Sequence, residues 1–502
     1  MTVLEELKER LAELHDLERV AWLLAWDEET KMPSGGAEAR AEARATMRKI
    51  LHERCTDPEL GRLLEKASPL EQELEPDSDD ASLIRVARRD FEKAVRVPAA
   101  LQAEMTRSGS RGYRAWLAAR ERDDYGVLLP HLERSLELRL RYIDCFGAPD
   151  DPYDVLLDDF EPGMKTAEVE AIFAELKPAQ LGMVAAVAGA GAADSECLTG
   201  PFPVDGQRRF SLWALQRLGF EPTAWRLDDT VHPFESSPAI ADIRLTTNLR
   251  EENLGGVMAC FHEFGHGLYD RQIDPALTRT PLADGVSAAL HESQSRLWEN
   301  MVCRSLACWR CFYPRLQADL PEQLGSVPLE TFHRALNQVQ PSLIRVEADE
   351  VTYNLHIVLR FELERDVLTG RLALRDLPEA FDAKLEEYLG LRPPDLKHGV
   401  LQDVHWSDAA FGYFPTYALG NVIGAQIWER AVAELGDLDE QFERGEFGVL
   451  RDWLRERVHR HGRKFTPRET LERAVGRPID AAPYLVYLQR KLGELYGVGA
   501  AS

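Results

Sequence analysis

Along most of the chain, apolar residues recur every three or four positions, the period that lays one stripe along one face of an α-helix. The opening MTVLEELKERLAEL has this period, and residues 1 to about 65 read as two helices around a break. That break holds Trp26-Asp27 and then the turn cluster Met32-Pro33-Ser34-Gly35-Gly36, with Trp26 as a core anchor. Residues 70 to 80 are acidic and carry Ser and Pro, so they read as an exposed link. Helical spacing with dense i,i+4 charges returns from Ala81 to Cys145, and YDVLLDDFEPG (Tyr153 to Gly163) closes that region with a turn. Helix resumes through Leu176. The Ala/Gly-rich 182–200 reads as a loop or frayed helix, and 205–221 as a helix again.

The pattern changes once. From Trp225 to Thr247, WRLDDTVHPF and DIRLTTN alternate with period two, which predicts two short strands joined by a Ser/Pro turn. From Ser287 to Ser502 nearly everything reads as helix, broken at Val327-Pro328, Arg392-Pro393-Pro394, Phe414-Pro415 and near Pro483. No internal repeat is visible. With 502 residues the chain is too long for one simple core. The expected architecture is mainly α: one domain over 1–502, with a helical subdomain and cleft wall to about residue 200 and a catalytic subdomain over 201–502. A cleft is expected between them, with a small β-sheet beside the helix described next.

That helix, Val257 to Leu268, carries His262-Glu263-Phe264-Gly265-His266, and the link with Asp274-Pro275 and Thr280-Pro281 stops it. Residues four apart share a helix face, so His262 and His266 point the same way and can share a divalent ion. The bland reading is two surface histidines on an amphipathic helix. Phe261, Phe264 and Leu268 weigh against it, because they make the helix largely apolar and its polar groups then need partners. Hydrolytic zinc takes three protein ligands and keeps one position for water. Glu292, in His291-Glu292-Ser293-Gln294 and thirty residues after His262, supplies the third. Glu263 is placed to take a proton from a water activated on the metal. Two histidines and a carboxylate accept zinc, cobalt or manganese, and availability decides among them.

Composition narrows the partners. A formal net charge of -25 excludes nucleic acid and anionic membrane surfaces, which need basic protein surface. It also repels anionic substrates, so a carboxylate-binding site must hold dedicated cations. The N-terminus lacks a signal-peptide layout, and the most continuous apolar stretch, Leu181 to Ala193, is too short to span a bilayer. Seven cysteines include Cys308-Trp309-Arg310-Cys311, alone on a helical pattern; free thiols and a reducing cytoplasm follow.

The ordered motifs resemble the carboxypeptidase Taq family of metallocarboxypeptidases over almost the whole chain. They are HPF (His232 to Phe234), DIRLT (Asp242, Arg244, Thr246), HEFGH (262–266), HESQ (291–294), IRVEAD (Ile344 to Asp349) and GVLQDVHW (Gly399 to Trp406). WDEETKMP (Trp26 to Pro33) and FGYFPTYALG (Phe411 to Gly420) add to them, while the Ala/Gly-rich 182–200 departs from the pattern. The resemblance implies a mostly helical homodimer with a deep cleft. It would release single residues from peptide carboxyl ends, with broad specificity, using zinc or cobalt.

Peptide hydrolysis also needs donors for the oxyanion, and His405, Tyr413 and Tyr417 are the candidates. A free α-carboxylate calls for arginine. Arg345 comes first, on an expected helix, with an ion pair to Glu347, Asp349 or Glu350 as its structural alternative. Arg244 comes second and His232 lines the substrate end or holds a turn. Asp349 and Asp242 are candidate partners for the outer nitrogens of the metal histidines. Two alternatives stay open: an oligopeptidase or endopeptidase with the same metal chemistry, and a non-catalytic metal-binding scaffold.

Overall fold

A computed structural model describes residues 2–190, 195–408 and 410–498. The fold is mainly α. Helix α1 (Val3–Thr30) is closed at its start by a Thr2–Glu5 capping box. It runs through Trp26-Asp27, so the expected break begins only at Met32. Then come α2 (Ala37–Cys55), α3 (Pro58–Glu73), α4 (Asp79–Arg96), α5 (Ala99–Arg122), α6 (Tyr125–Asp144) and the short α7 (Pro152–Leu157). The 182–200 region differs from expectation. Helix α8 (Thr166–Ala190) absorbs its first part; 191–194 lie outside the described residues. By length and composition α8 could cross a membrane, but polar contacts tie it to the fold. Lys177 Nζ meets Glu362 at 3.0 Å, and Gln180 donates to the Val351 carbonyl at 2.7 Å.

After α9 (Val204–Leu218) come three strands, where two were expected: β1 (Trp225–Asp229), β2 (Glu235–Ala239) and β3 (Asp242–Thr247). Their order is β1-β3-β2, with β1 parallel and β2 antiparallel to β3. The ESSPA segment reads as a turn because it lacks β-branched residues and carries Pro238. It pairs nonetheless, as an edge strand with an irregular register between Ser236 and Ala239, where proline is tolerated.

Helix α10 (Gly255–Arg271) packs on this sheet, with Trp225 stacked on Phe264 at 5.5 Å. Next is α11 (Ala288–Arg296), continued by a π-turn over Leu297–Val302. The remaining helices are α12 (Leu306–Asp319), α13 (Pro321–Leu324), α14 (Leu329–Leu336), α15 (Tyr353–Leu368), α16 (Leu377–Leu389) and α17 (Pro415–Leu435). They close with α18 (Leu438–Glu443), α19 (Gly448–Arg457), α20 (Pro467–Val475) and α21 (Ala482–Tyr496). Both α17 and α21 start on the proline breaks read from the sequence, since proline lacks only an N–H that the first turn leaves unpaired.

Apolar packing forms two clusters. The smaller joins Leu7, Leu11, Leu63 and Ile84 from the N-terminal helices to Ile273, Leu277 and Leu282. The larger runs from Val97 to Leu492 and holds α10, α11 and α17. A cavity of about 1070 Å³ is lined by Trp22 of α1 and Arg89 of α4 together with residues of α10, α11 and α17.

Candidate metal centre and its surroundings

Helices α10, α11 and α17 meet where a Cβ would not fit. A Cβ on Gly265, the fourth residue of HEFGH, would stand 2.5 Å from the Gln294 carbonyl oxygen on α11. One on Gly420 of α17 would stand 2.5 Å from Cγ of Glu292. Glycine at these two positions lets the backbones close in and fixes where α11 presents its carboxylate.

The expected ligands do converge. Glu292 Oε2 lies 3.3 Å from His266 Nε2 and 3.6 Å from His262 Nε2, and the three ligand atoms lie within 4.8 Å of one another. Their other atoms are occupied. His262 Nδ1 meets Glu299 at 2.9 Å, and His266 Nδ1 meets His291 Nδ1 at 2.6 Å. Arg296 Nε donates to Glu292 Oε1 at 2.7 Å. The two Nε2 atoms and Oε2, which also accepts from Ser295 Oγ at 3.1 Å, are turned towards each other, the donor set a divalent ion needs. Burial alone would raise the Glu292 pKa, but Arg296, His262 and His266 hold it far below the ordinary carboxylate range. Burial pushes His266 down to about 4, keeping it neutral as a ligand must be. Burial, helped by Glu292 and Glu299, pushes Glu263 up to about 7, near the pH at which a general base works best.

The partners of the histidines are a correction to the sequence reading. Asp349 instead accepts from the Val351, Thr352 and Gln340 backbone, and Asp242 pairs with Arg244 at 2.7 Å. Glu299 and His291 take the outer nitrogens, and Asp270 takes His291 Nε2 at 3.1 Å. Signals for them were present: Asp270 follows His266 by one helical turn, and Glu299 follows Glu292 by two.

The other candidates fall into two groups. Tyr413 and Tyr417 line the cavity together with Glu263 and the ligands. His405 sits behind them, its ring 5.5 Å from Tyr413 and its Nε2 3.2 Å from the Tyr417 hydroxyl. Burial lowers the His405 pKa to about 4 and raises Tyr413 to about 12, so both are neutral. Arg345 lies on a 3-10 turn, Arg345–Glu347, and not on the expected helix. Its partner is none of the acids expected. Nη2 meets Asp403 at 2.9 Å and Nη1 donates to the Tyr353 hydroxyl at 2.8 Å, while the guanidinium lies 4.9 Å from the Tyr417 ring centre. Arg244 stacks on Trp26 at 4.2 Å and is held by Asp242. His232 is exposed, although its neighbours Pro233 and Phe234 line the cavity.

The model of the carboxypeptidase Taq (M32) metallopeptidases matches residues 6–492. This chain belongs to the M32 carboxypeptidase family. It is 45% identical over 488 residues to thermostable carboxypeptidase 1 of Thermus thermophilus, covering 95% of each chain. Carboxypeptidase 1 of Bacillus subtilis is 36% identical over 484 residues, with 96% of each covered. The crystal structure of the M32 carboxypeptidase from Deinococcus radiodurans superimposes with a TM-score of 0.96 at 42% identity, covering 99% of this chain and 100% of that one. Metallopeptidase membership and the convergent His/Glu set together imply a divalent ion in this M32 protein.

Proposed function

We propose that the protein is a carboxypeptidase that releases single residues from the carboxyl ends of peptides, with broad specificity, using zinc or cobalt held by His262, His266 and Glu292. The observation that carries this reading is the pairing of a three-donor metal set with Glu263 on one wall of a cavity large enough for a peptide. When bound, such an ion polarises the scissile carbonyl and makes water acidic enough to be a nucleophile at neutral pH. Glu263 takes the proton from the attacking water and passes it to the leaving amine. Tyr417 and Tyr413 donate to the oxyanion. His405 in its Nε2–H form donates to the Tyr417 oxygen, leaving the Tyr417 O–H free for the substrate. Arg345, close under the Tyr417 ring, supplies positive charge for the substrate carboxylate, and Arg244 and His232 are further candidates for substrate contact.

We further propose a homodimer, on family resemblance, and a cytoplasmic location, which seven cysteines with no disulfide among them support. The division into a subdomain up to about 200 and a catalytic remainder is likewise proposed, with the cleft between.

Mass spectrometry of one peptide in two forms, free acid and carboxyl-terminal amide, tests the activity. A ladder losing one residue at a time from the free acid alone, abolished by chelator and by Glu263→Gln, is expected. Internal cuts in both forms would replace this reading with the endopeptidase, and metal binding without cleavage would favour the scaffold.

A further inference from the structure

Among the described residues two sets of side chains can hold a metal ion, and His262, His266 and Glu292 are the first. The second is Glu235 on the edge strand β2, Asp270 at the end of α10 and His291 on α11, with ligand atoms within 4.8 Å of one another. All three line the cavity, so an ion can reach them from the substrate side. Asp270 is 8% exposed. Ser237 donates to Glu235 Oε1. The first set has two imidazoles and one carboxylate on two helices; this one has one imidazole and two carboxylates on three elements, donors of the same chemical types.

The two sets touch through one contact, His266 Nδ1 to His291 Nδ1 at 2.6 Å. Proton bookkeeping across it is restrictive. A neutral imidazole that ligates through Nε2 carries its hydrogen on Nδ1. With His266 so engaged, His291 Nδ1 must accept, and the single hydrogen of His291 then sits on Nε2, donated to Asp270. A cation on His291 Nε2 takes that lone pair and forces the hydrogen onto Nδ1. Two N–H groups would then face each other across the 2.6 Å contact, which must open.

We propose that Glu235, Asp270 and His291 form a second, weaker divalent-cation site whose occupation inhibits the enzyme by disengaging His291 from His266. Carboxylate and imidazole donors suit zinc, cobalt and manganese, and zinc is the probe of choice. The binding half stands on these residues alone. The inhibitory half rests on the proposed peptidase activity.

The test starts from the full-length protein carrying one equivalent of zinc. Further zinc is added in equilibrium dialysis, and bound metal and peptide hydrolysis are read on the same samples. The expected result is a second bound equivalent, with activity falling in step as it fills. Glu235→Gln, and Glu235→Ala as a second variant, should keep the first equivalent and bind the second at least tenfold more weakly. The fall in activity should move to higher zinc by the same factor. A second equivalent that never binds overturns the proposal, as does one that both variants retain unchanged, since it then lies elsewhere. A second equivalent that fills without loss of activity overturns the inhibitory half. A protein inactive at one equivalent contradicts the peptidase reading instead, and the binding curves still decide the site.

Discussion

Two charged clusters flank the Tyr413–Tyr417 pair, and they are unbalanced in opposite directions. On the ligand side three carboxylates, Glu263, Glu292 and Glu299, lie near two arginines among the described residues: Arg296 pairs with Glu292 and Glu299, and Arg304 with Glu299. Behind the tyrosines, Arg345 and Arg360 share the single carboxylate of Asp403, at 2.9 and 2.6 Å. Burial would raise the Asp403 pKa, but the two arginines hold it far below the ordinary range. A buried excess of charge is costly unless something completes it. One cluster lacks a cation and the other an anion, and a metal ion with a peptide carboxylate would complete both. The comparison also answers the repulsion implied by a net charge of -25, because the local field behind Tyr417 is positive.

The sharpest way to break this picture is at the acidic cluster. Glu263→Gln should lower kcat/KM by about 10³-fold. Metal content, measured by atomic absorption, should stay at the wild-type level. Next comes the layer between the clusters. Tyr417→Phe should lower kcat by about 10²-fold with little change in KM, the pattern of a donor that acts in the transition state. At the basic cluster, Arg345→Met should raise KM for free-acid peptides roughly 10- to 100-fold, the worth of a charged hydrogen bond. Equal effects on an amidated peptide would show that Arg345 serves the fold only.

The smallest effect tests the scaffold under both clusters. Glu161 is buried at the start of α11, where the Ala289 N–H donates to it at 3.1 Å, and burial raises its pKa to about 7. A carboxyl whose pKa is higher folded than unfolded keeps a proton that the unfolded chain has released. Stability should therefore fall as pH rises from the ordinary carboxylate value towards 7, by at most about 1.4 kcal/mol per pH unit. Above the folded pKa this dependence ends. Glu161→Gln keeps an acceptor for Ala289 and should flatten the slope in thermal melts.

Legibility from sequence followed the range of the interactions. The helices, their proline starts and the ligand set rest on spacings of three, four and thirty residues within or between strong motifs. The sheet was half legible: β1 and β3 alternate, whereas β2 exists only because β3 offers it an edge. Arg345 shows the limit most clearly. Its motif singled it out, yet its partner Asp403 comes from a distant loop that no local period could indicate. Asp270 and Glu299 share helical phase with the motif residues, a weaker signal than the motifs themselves.

The glycine seams at Gly265 and Gly420 reach further than packing. Contacts with no room for a methyl group leave the three helices little freedom to breathe, so the ligand geometry is built before any ion arrives. Small zinc domains owe their structure to the ion and collapse when it is withdrawn. Here the debt runs the other way: chelation should silence the chemistry while the architecture stands, and returning the ion should restore activity without a refolding step.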